Sequence, residues 1–513
     1  MNNLIACSFK RCRFFNYKFM QLTVIHRRVT NIKINSSVMT GSEFDMRLEN
    51  KSDWDSMEFF SWLKNSAPIF PVNASKVTVI HEPTVFYSTL IEKCKRAERR
   101  ITLASLYLGT GKLEGDLVQA IEKSVKSSNG HLKVNILLDY MRGSRGQKNS
   151  RTMLEPLLKS QWVDNIKIHL YHTPKLRGLL KKFIPNRFNE LIGLQHMKVY
   201  IFDDSLIISG ANLSNDYFMN RQDRYFLIED CKELCDFYND LISQVSEFSF
   251  QLLPDNSTSF NTKSSPHPFE SSTADFVSAA QSRIRKFYFN ELDKRQAASD
   301  TSTDTWIFPL IQMGQLGIYH DNEITLRLLK TAPPGASLRF ATGYFNLTAE
   351  YSSALIRDCK ASVQLLTAHP TANGFFGAKG VAGGIPAAYT LIEKSFYKSC
   401  ERLGINERIN LREYVRSGWT YHAKGLWYTL PNHKKPSFTL IGSSNFGYRS
   451  VNRDLETQIA IVTKNDKLQN DLHEEYDRLY KTSQKVTSTS LAQQDRIAPT
   501  WVYAAVFLFR YFF

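Results

Sequence analysis

Residues 195–218 (QHMKVYIFDDSLIISGANLSNDYF) set His196 and Lys198 two apart, with Asp203 five residues beyond the lysine and Gly210 and Asn212 after it. Residues 421–430 (YHAKGLWYTL) and 441–456 (IGSSNFGYRSVNRDLE) repeat the arrangement with His422, Lys424, Gly442, Ser443 and Asn445. Alternate residues of a strand share a face, so each pair presents an imidazole and an ammonium together. The downstream spacing matches as well: Asp223 follows Asn212 by eleven residues, and Glu456 follows Asn445 by eleven. The histidine-to-asparagine distance is 16 residues in the first copy and 23 in the second, the excess fitting a longer hairpin around residues 431–437.

A doubled site of this composition suits phosphoryl chemistry. One imidazole attacks phosphorus and carries the group covalently. The other protonates the leaving oxygen and then deprotonates the incoming hydroxyl. The two lysines, with Asn212, Asn445 and Ser443, hold the non-bridging oxygens as charge shifts. Asp223 and Glu456 are the acids expected on the far ring nitrogens, fixing the tautomers, or otherwise at the substrate. No metal or other cofactor is called for, because the cations are already side chains.

Other features fit a phosphorylated substrate. Arg142, Arg145 and Arg151 follow an apolar strand that ends at Asp139, and guanidinium forks match phosphate oxygens. The glycine-rich residues 374–384 (GFFGAKGVAGG) occupy the matching place in the second half, as a closing flap or simply a flexible loop. Gly109-Thr-Gly-Lys112 resembles a P-loop, but Leu106 stands where the first glycine belongs and Leu113 follows the lysine, so no ATP site is read there.

The elements that must position these residues alternate. A strand is expected at 77–81, a helix at 84–97, a strand at 100–108, an amphipathic helix at 114–127 and a buried strand at 132–138. After residues 254–275, which hold nine Ser/Thr and three Pro, the pattern returns. Residues 338–344 (LRFATGY) echo 100–108 (RITLASLYL), and 361–367 (ASVQLLT) echo 132–138 (LKVNILL). The fold class is therefore α/β: two similar lobes with central mixed sheets, related by a pseudo-two-fold, with the active site at their interface. The expected divisions are 1–42, 43–253 (first lobe, opening with a lead-in to 72), 254–299 (linker and connecting helix), 300–485 (second lobe) and 486–513.

The chain has 513 residues, 42% hydrophobic, and a net charge of +16, which favours a partner rich in phosphate. Residues 1–42 hold seven Lys/Arg and no acid, mixed with apolar and hydroxyl residues, and read as a mitochondrial transit peptide. Subtracting those seven from +16 leaves +9, which counts against the broad basic groove of a nuclease, so no nucleic-acid partner is expected. Seven scattered cysteines read as reduced thiols, Cys231 and Cys235 included. No window is long enough to span a bilayer, and residues 501–513 (WVYAAVFLFRYFF) suit a segment lying in a membrane interface. Nothing in the pattern specifies an oligomer.

The doubled motif resembles the HKD phospholipase D superfamily, whose H-x-K-x4-D and G-x-N elements are met by His196, Lys198, Asp203, Gly210 and Asn212. The second copy departs at the acid, with Thr429 in its place. Residues 137–154 (LLDYMRGSRGQKNSRTML), YHAKGLW and IGSSNFGYRSVNRDLE are similar to the eukaryotic phosphatidylglycerophosphate synthases, a branch whose second motif lacks the aspartate. That resemblance implies transfer of a phosphatidyl group from CDP-diacylglycerol to sn-glycerol 3-phosphate, releasing CMP, in the mitochondrion and toward cardiolipin. It implies a peripheral enzyme on an anionic membrane surface at the matrix face, with His196, Lys198, Asp203, His422 and Lys424 as its catalytic residues. A phosphodiesterase of the same superfamily, a transferase using serine, and a silent lipid-binding scaffold are the competing readings.

Overall fold

Short runs rich in Val, Ile, Leu and aromatics, broken by turn residues, form the strands of two sheets. The computed structural model describes residues 55–178, 192–296 and 303–509. In chain order the strands are β1 (Phe70–Val72), β2 (Val77–Ile80), β3 (Arg100–Ala104), β4 (Lys133–Asp139), β5 (Ile166–Tyr171), β6 (Val199–Phe202), β7 (Ser205–Ser209), β8 (Arg221–Gln222), β9 (Tyr225–Ile228), β10 (Phe250–Leu252) and β11 (Thr258–Ser259). They continue as β12 (Thr305–Met313), β13 (Ser337–Ala341), β14 (Ser362–Ala368), β15 (Ile409–Tyr414), β16 (Thr420–Tyr421), β17 (Gly425–Thr429), β18 (Phe438–Gly442), β19 (Leu455–Thr463) and β20 (Ser483–Lys485).

Among the described residues one sheet runs β11-β10-β5-β4-β3-β6-β7-β9-β2 and the other β20-β15-β14-β13-β17-β18-β19-β12-β1. The two orders superimpose from β10 to β2 on β20 to β12. In both, the central trio (β3, β4 and β5; β13, β14 and β15) is parallel and its flanks antiparallel. Parallel strands are covered on both faces, which is why they read as continuous apolar runs. The strand expected at 100–108 ends at Ala104, because the chain there turns across the neighbouring strand: Ser105 N–H donates to Leu137 O and Asp139 N–H to Leu106 O.

The lobes share a core. A single buried cluster runs from Ile208, Phe226 and Tyr238 of the first half to Ile441, Ile459 and Leu472 of the second. Helices cross the join in both directions. Tyr238, on the helix Lys232–Ser246, bonds Thr457 at 3.3 Å, and Glu475, on the helix Asp466–Lys481, reaches Arg224. Arg224 is fully buried: both its Nε and Nη2 lie 2.8 Å from the Glu475 carboxylate, Nη1 donates to Leu440 O at 2.7 Å, and the guanidinium stacks on Trp427.

The expected lead-in to residue 72 instead ends in an edge strand of the second sheet. β1 pairs with β12, and Phe60 packs on Tyr428 and stacks on Phe438. A local reading assigns a segment to the lobe that follows it, whereas this one completes the distant sheet's edge. The expected linker carries β11, which pairs with β10, and the helix Thr273–Gln296. The five described cysteines are free and buried. The transit-peptide reading of residues 1–42 lies outside the described residues, as do Cys7 and Cys12. No helix among the described residues is long and apolar enough to cross a membrane.

Candidate active site

Each motif histidine is placed by a parallel backbone pairing between the two halves. Gln195 bridges Leu455, with His196 N–H donating to Leu455 O and Leu455 N–H to Leu194 O, both at 2.8 Å. On the other side β16 pairs with β8, Tyr421 opposite Gln222, and His422 N–H donates to Gln222 O at 2.8 Å. These registers put Glu456 beside His196 and Asp223 beside His422. His196 Nδ1 lies 2.8 Å from Glu456 Oε1, and His422 Nδ1 lies 2.7 Å from Asp223 Oδ2. Each lobe therefore supplies the carboxylate that orients the other lobe's imidazole, and the two acids serve the histidines rather than the substrate.

The lysines fold back onto the same centre. Lys198 Nζ donates to His196 O at 2.7 Å, Lys424 Nζ to His422 O at 2.8 Å, and both side chains are fully buried. Lys424 Nζ also sits 2.7 Å from His422 Nδ1. The motif glycines are there for space. A Cβ on Gly210 would meet Asp223 Oδ1 at 2.6 Å and Lys424 Nζ at 2.9 Å, and one on Gly442 would strike the Gln458 backbone. Asn212 and Asn445 each hold a buried amide oxygen that no protein donor meets.

Burial dominates the electrostatics. It holds both imidazoles well below the ordinary histidine value, helped by Lys198 at His196 and Lys424 at His422. It pushes both ammonium groups down, against Glu456 at Lys198 and Asp223 at Lys424. It raises Glu456 to about 7, against Lys198. The His196–Glu456 contact thus has the geometry of an ion pair but holds a neutral imidazole: when Glu456 is ionised it takes the Nδ1–H, and Nε2 is then free of a proton. A bound phosphate would reverse the burden on the lysines. His196, Asp454 and Glu456 offer ligand atoms within 4.8 Å of one another and are the described set able to hold a cation.

The remaining expected residues separate into those the fold brings here and those it uses elsewhere. Asp203 makes its contacts away from the paired histidines. It occupies the turn between β6 and β7 with φ of 50°, and its carboxylate accepts the backbone N–H groups of Glu98, Arg99 and Arg100 at 2.8–3.0 Å. It staples a turn at the far end of β6, supporting the first motif structurally. The Ser443 hydroxyl exchanges hydrogen bonds with Thr457 N–H and O at 3.1 Å, holding β18 to β19, and also acts on Glu456, the acid beside His196. Arg142 reaches the rim, its guanidinium 3.9 Å over the Tyr107 ring, and Arg145 lies beyond the turn that ends its short helix. Lys112 of the P-loop look-alike pairs with Asp116 in solvent.

Four residues of the site carry no motif. Tyr217 OH is 3.3 Å from His422 Nε2, and Tyr344 stands edge-on to the same ring. Arg221 lies over Tyr217 and bonds Thr420 Oγ1 at 3.0 Å, with Gly374 of the glycine-rich stretch packed against it. Arg449 bonds Asp454 at 3.0 Å and acts on His196. The available signal was position: Arg221 and Arg449 fall between asparagine and acid in each copy.

The chain is 46% identical over 480 residues to the human protein named CDP-diacylglycerol–glycerol-3-phosphate 3-phosphatidyltransferase, mitochondrial, covering 88% of this chain and 86% of that one. The chain belongs to this family. The probable enzyme of that name from Dictyostelium discoideum is 39% identical over 444 residues, covering 83% and 76%, and the Saccharomyces cerevisiae enzyme 34% over 503, covering 92% and 94%. No protein-family model matches the chain. The fold is that of a phosphatidylserine synthase from Haemophilus influenzae, with a TM-score of 0.68 at 18% identity, covering 88% of this chain and 97% of the other.

Proposed function

We propose that the crossed His–Lys pairs transfer a phosphatidyl group from CDP-diacylglycerol to sn-glycerol 3-phosphate through a phosphatidyl-histidine intermediate. The overall reaction is that of the phosphatidyltransferase family: it yields phosphatidylglycerophosphate and CMP, toward cardiolipin, and the location is mitochondrial, as the names of the animal relatives have it. The observation that supports this mechanism is the pairing of each imidazole through Nδ1 with an acid of the opposite lobe at 2.7–2.8 Å, which turns each Nε2 away from its acid, with Tyr217 OH at 3.3 Å from that of His422.

In the first step the Nε2 lone pair of His196 attacks the phosphorus that bears diacylglycerol, and the bond from that phosphorus to the pyrophosphate bridge breaks. CMP leaves with a proton from His422. Burial holds His422 neutral when the site is empty, but the negative charges of a bound pyrophosphate pull its proton affinity up. In the second step His422 takes the proton of the glycerol 3-phosphate 1-hydroxyl, its oxygen attacks phosphorus, and the P–N bond returns its electrons to His196. Lys198, Lys424, Asn212 and Asn445 carry the charge of the pentavalent centre. Arg221 and Arg449 are the guanidinium groups set to hold the acceptor's phosphate and the nucleotide's second phosphate. The chemistry draws on side-chain cations and needs no metal, and the enzyme works peripherally at the matrix face of the inner membrane.

Acceptor dependence tests this. The purified chain is given radiolabelled CDP-diacylglycerol in mixed micelles with glycerol 3-phosphate, serine or water, with and without EDTA, and with His196→Ala as control. The expected result is phosphatidylglycerophosphate from glycerol 3-phosphate alone, unaffected by EDTA and lost in the variant. Phosphatidic acid and CMP with every acceptor would make the protein a hydrolase. A labelled adduct on His422, in digests kept at alkaline pH where the P–N bond survives, would reverse the histidine roles.

A further inference from the structure

The helix Thr500–Phe509 (TWVYAAVFLF) contains no charged residue. One side is spent on the protein, where Val502 packs with Ala498 and Ala388 on the helix Ile385–Arg402. The other side is apolar too, and it is bare: Trp501 is 45% exposed, Tyr503 53% and Phe507 75%. A helix apolar all round belongs in an apolar surround. Ten residues span only about 15 Å, half of a bilayer's hydrocarbon core, so this helix cannot cross one. The neighbouring glycine-rich stretch adds Phe376 at 61% exposure and Val381 at 62%, and its end is in contact with the helix, because a Cβ on Gly384 would run into the Trp501 ring. This patch carries an exposed cation, Lys379, and no acid. Its other end reaches the site: Gly374 lies against the Arg221 guanidinium and the Tyr344 hydroxyl beside His422.

We infer that the outward face of the helix Thr500–Phe509 and the 374–384 loop together seat on an anionic lipid bilayer, so that the lipid donor enters the site along the loop. This rests on the proposed reading of the substrate as a bilayer lipid. Trp and Tyr in the interface, Phe below it and a lysine among the headgroups is the arrangement that the chemistry of such a boundary selects. The site is thereby opened toward the membrane plane instead of requiring the lipid to leave it.

Flotation of the full chain with phosphatidylcholine vesicles, with and without phosphatidylglycerol, reads the face directly. The triple variant Trp501→Ser, Tyr503→Ser, Phe507→Ser should bind vesicles at least ~tenfold less. Its turnover of CDP-diacylglycerol in vesicles should fall in proportion, with turnover of a water-soluble short-chain CDP-diacylglycerol unchanged. Phe376→Ser with Val381→Ser, which leaves the helix packing intact, should show the same split and guards against a folding defect in the triple variant. Undiminished flotation in both variants overturns the inference. So does equal loss on the short-chain donor by the loop variant, which would make the loop part of the site alone, or dissociation of a lipid-free dimer with vesicle binding unchanged, which would give the face to a second copy. If the wild-type chain makes no phosphatidylglycerophosphate from the short-chain donor, the functional reading fails, while flotation still decides the face.

Discussion

At the residue scale the site is governed by one carboxyl group. Glu456 is fully buried and accepts a hydrogen bond from Ser450 Oγ at 2.9 Å as well as facing His196. Above pH of about 7 it is ionised, draws the His196 proton onto Nδ1 and leaves Nε2 nucleophilic. As pH falls through that value it gains a proton, donates to Nδ1 and shifts the imidazole proton to Nε2. Activity is therefore present above the raised value and lost below it. His196 itself, held well below the ordinary histidine range, adds no loss near neutrality. The acid limb of kcat/KM should bend near 7, and Glu456→Gln should remove that bend while lowering the plateau by about 10²-fold. A bend that survives in the variant would assign it to another group. Asp203 teaches the converse lesson. Its motif position suggests chemistry, yet its carboxylate's hydrogen bonds are all to backbone N–H groups, and the type of residue alone does not distinguish the two.

At the scale of elements, the β6–β7 turn explains why the second copy tolerates Thr429. In the first half a tight turn brings Asp203 onto three N–H groups at the start of β3. In the second half β17 and β18 are joined through residues 430–437, a longer connection with Pro431 packed by Gly335, so no carboxylate is required to staple it. Asp203→Ala should then cost about 1–3 kcal/mol of stability through orphaned N–H groups. Thermal melts should show that loss, with KM and kcat for the folded fraction unchanged. A fall in kcat at full foldedness would return Asp203 to the mechanism. The short parallel pairings are the more consequential elements. Two residues of β8 against two of β16 suffice to set a histidine opposite its acid, and a slip of one residue would turn Asp223 away.

At the scale of the molecule, neither lobe holds a complete site. His196 needs Glu456 and His422 needs Asp223, so the lobes must be held rigidly. The Arg224–Glu475 pair, fully buried and bonded also to Leu440 O and Trp427 Nε1, is the polar lock at that join. Arg224→Met leaves Glu475 charged in an apolar core and should destabilise the chain by about 3–5 kcal/mol. Pairing it with Glu475→Leu should recover most of that in denaturant titrations, because the buried charge is gone. No recovery would mean that the lock works through its hydrogen bonds to the strands instead. Both lobes should melt together in the single variant.

What the sequence determined by itself was local and repetitive. The i, i+2 spacing of His196 and Lys198 and of His422 and Lys424 follows from strand geometry, and the echoed apolar runs follow from a sheet buried on both faces. Both are short-range and survive in a one-dimensional reading. Asp223 and Glu456 could be named as the acids, but which of them serves which histidine could not, because each partner lies about 200 residues or more away and is chosen by strand register between lobes. The entry of β1 into the far sheet, the approach of Arg221 and Tyr217 to His422, and the seating of the last described helix beside the glycine-rich loop were decided the same way. Only the closed packing of two lobes brings those residues within hydrogen-bonding or contact distance, and that distance is what makes the site.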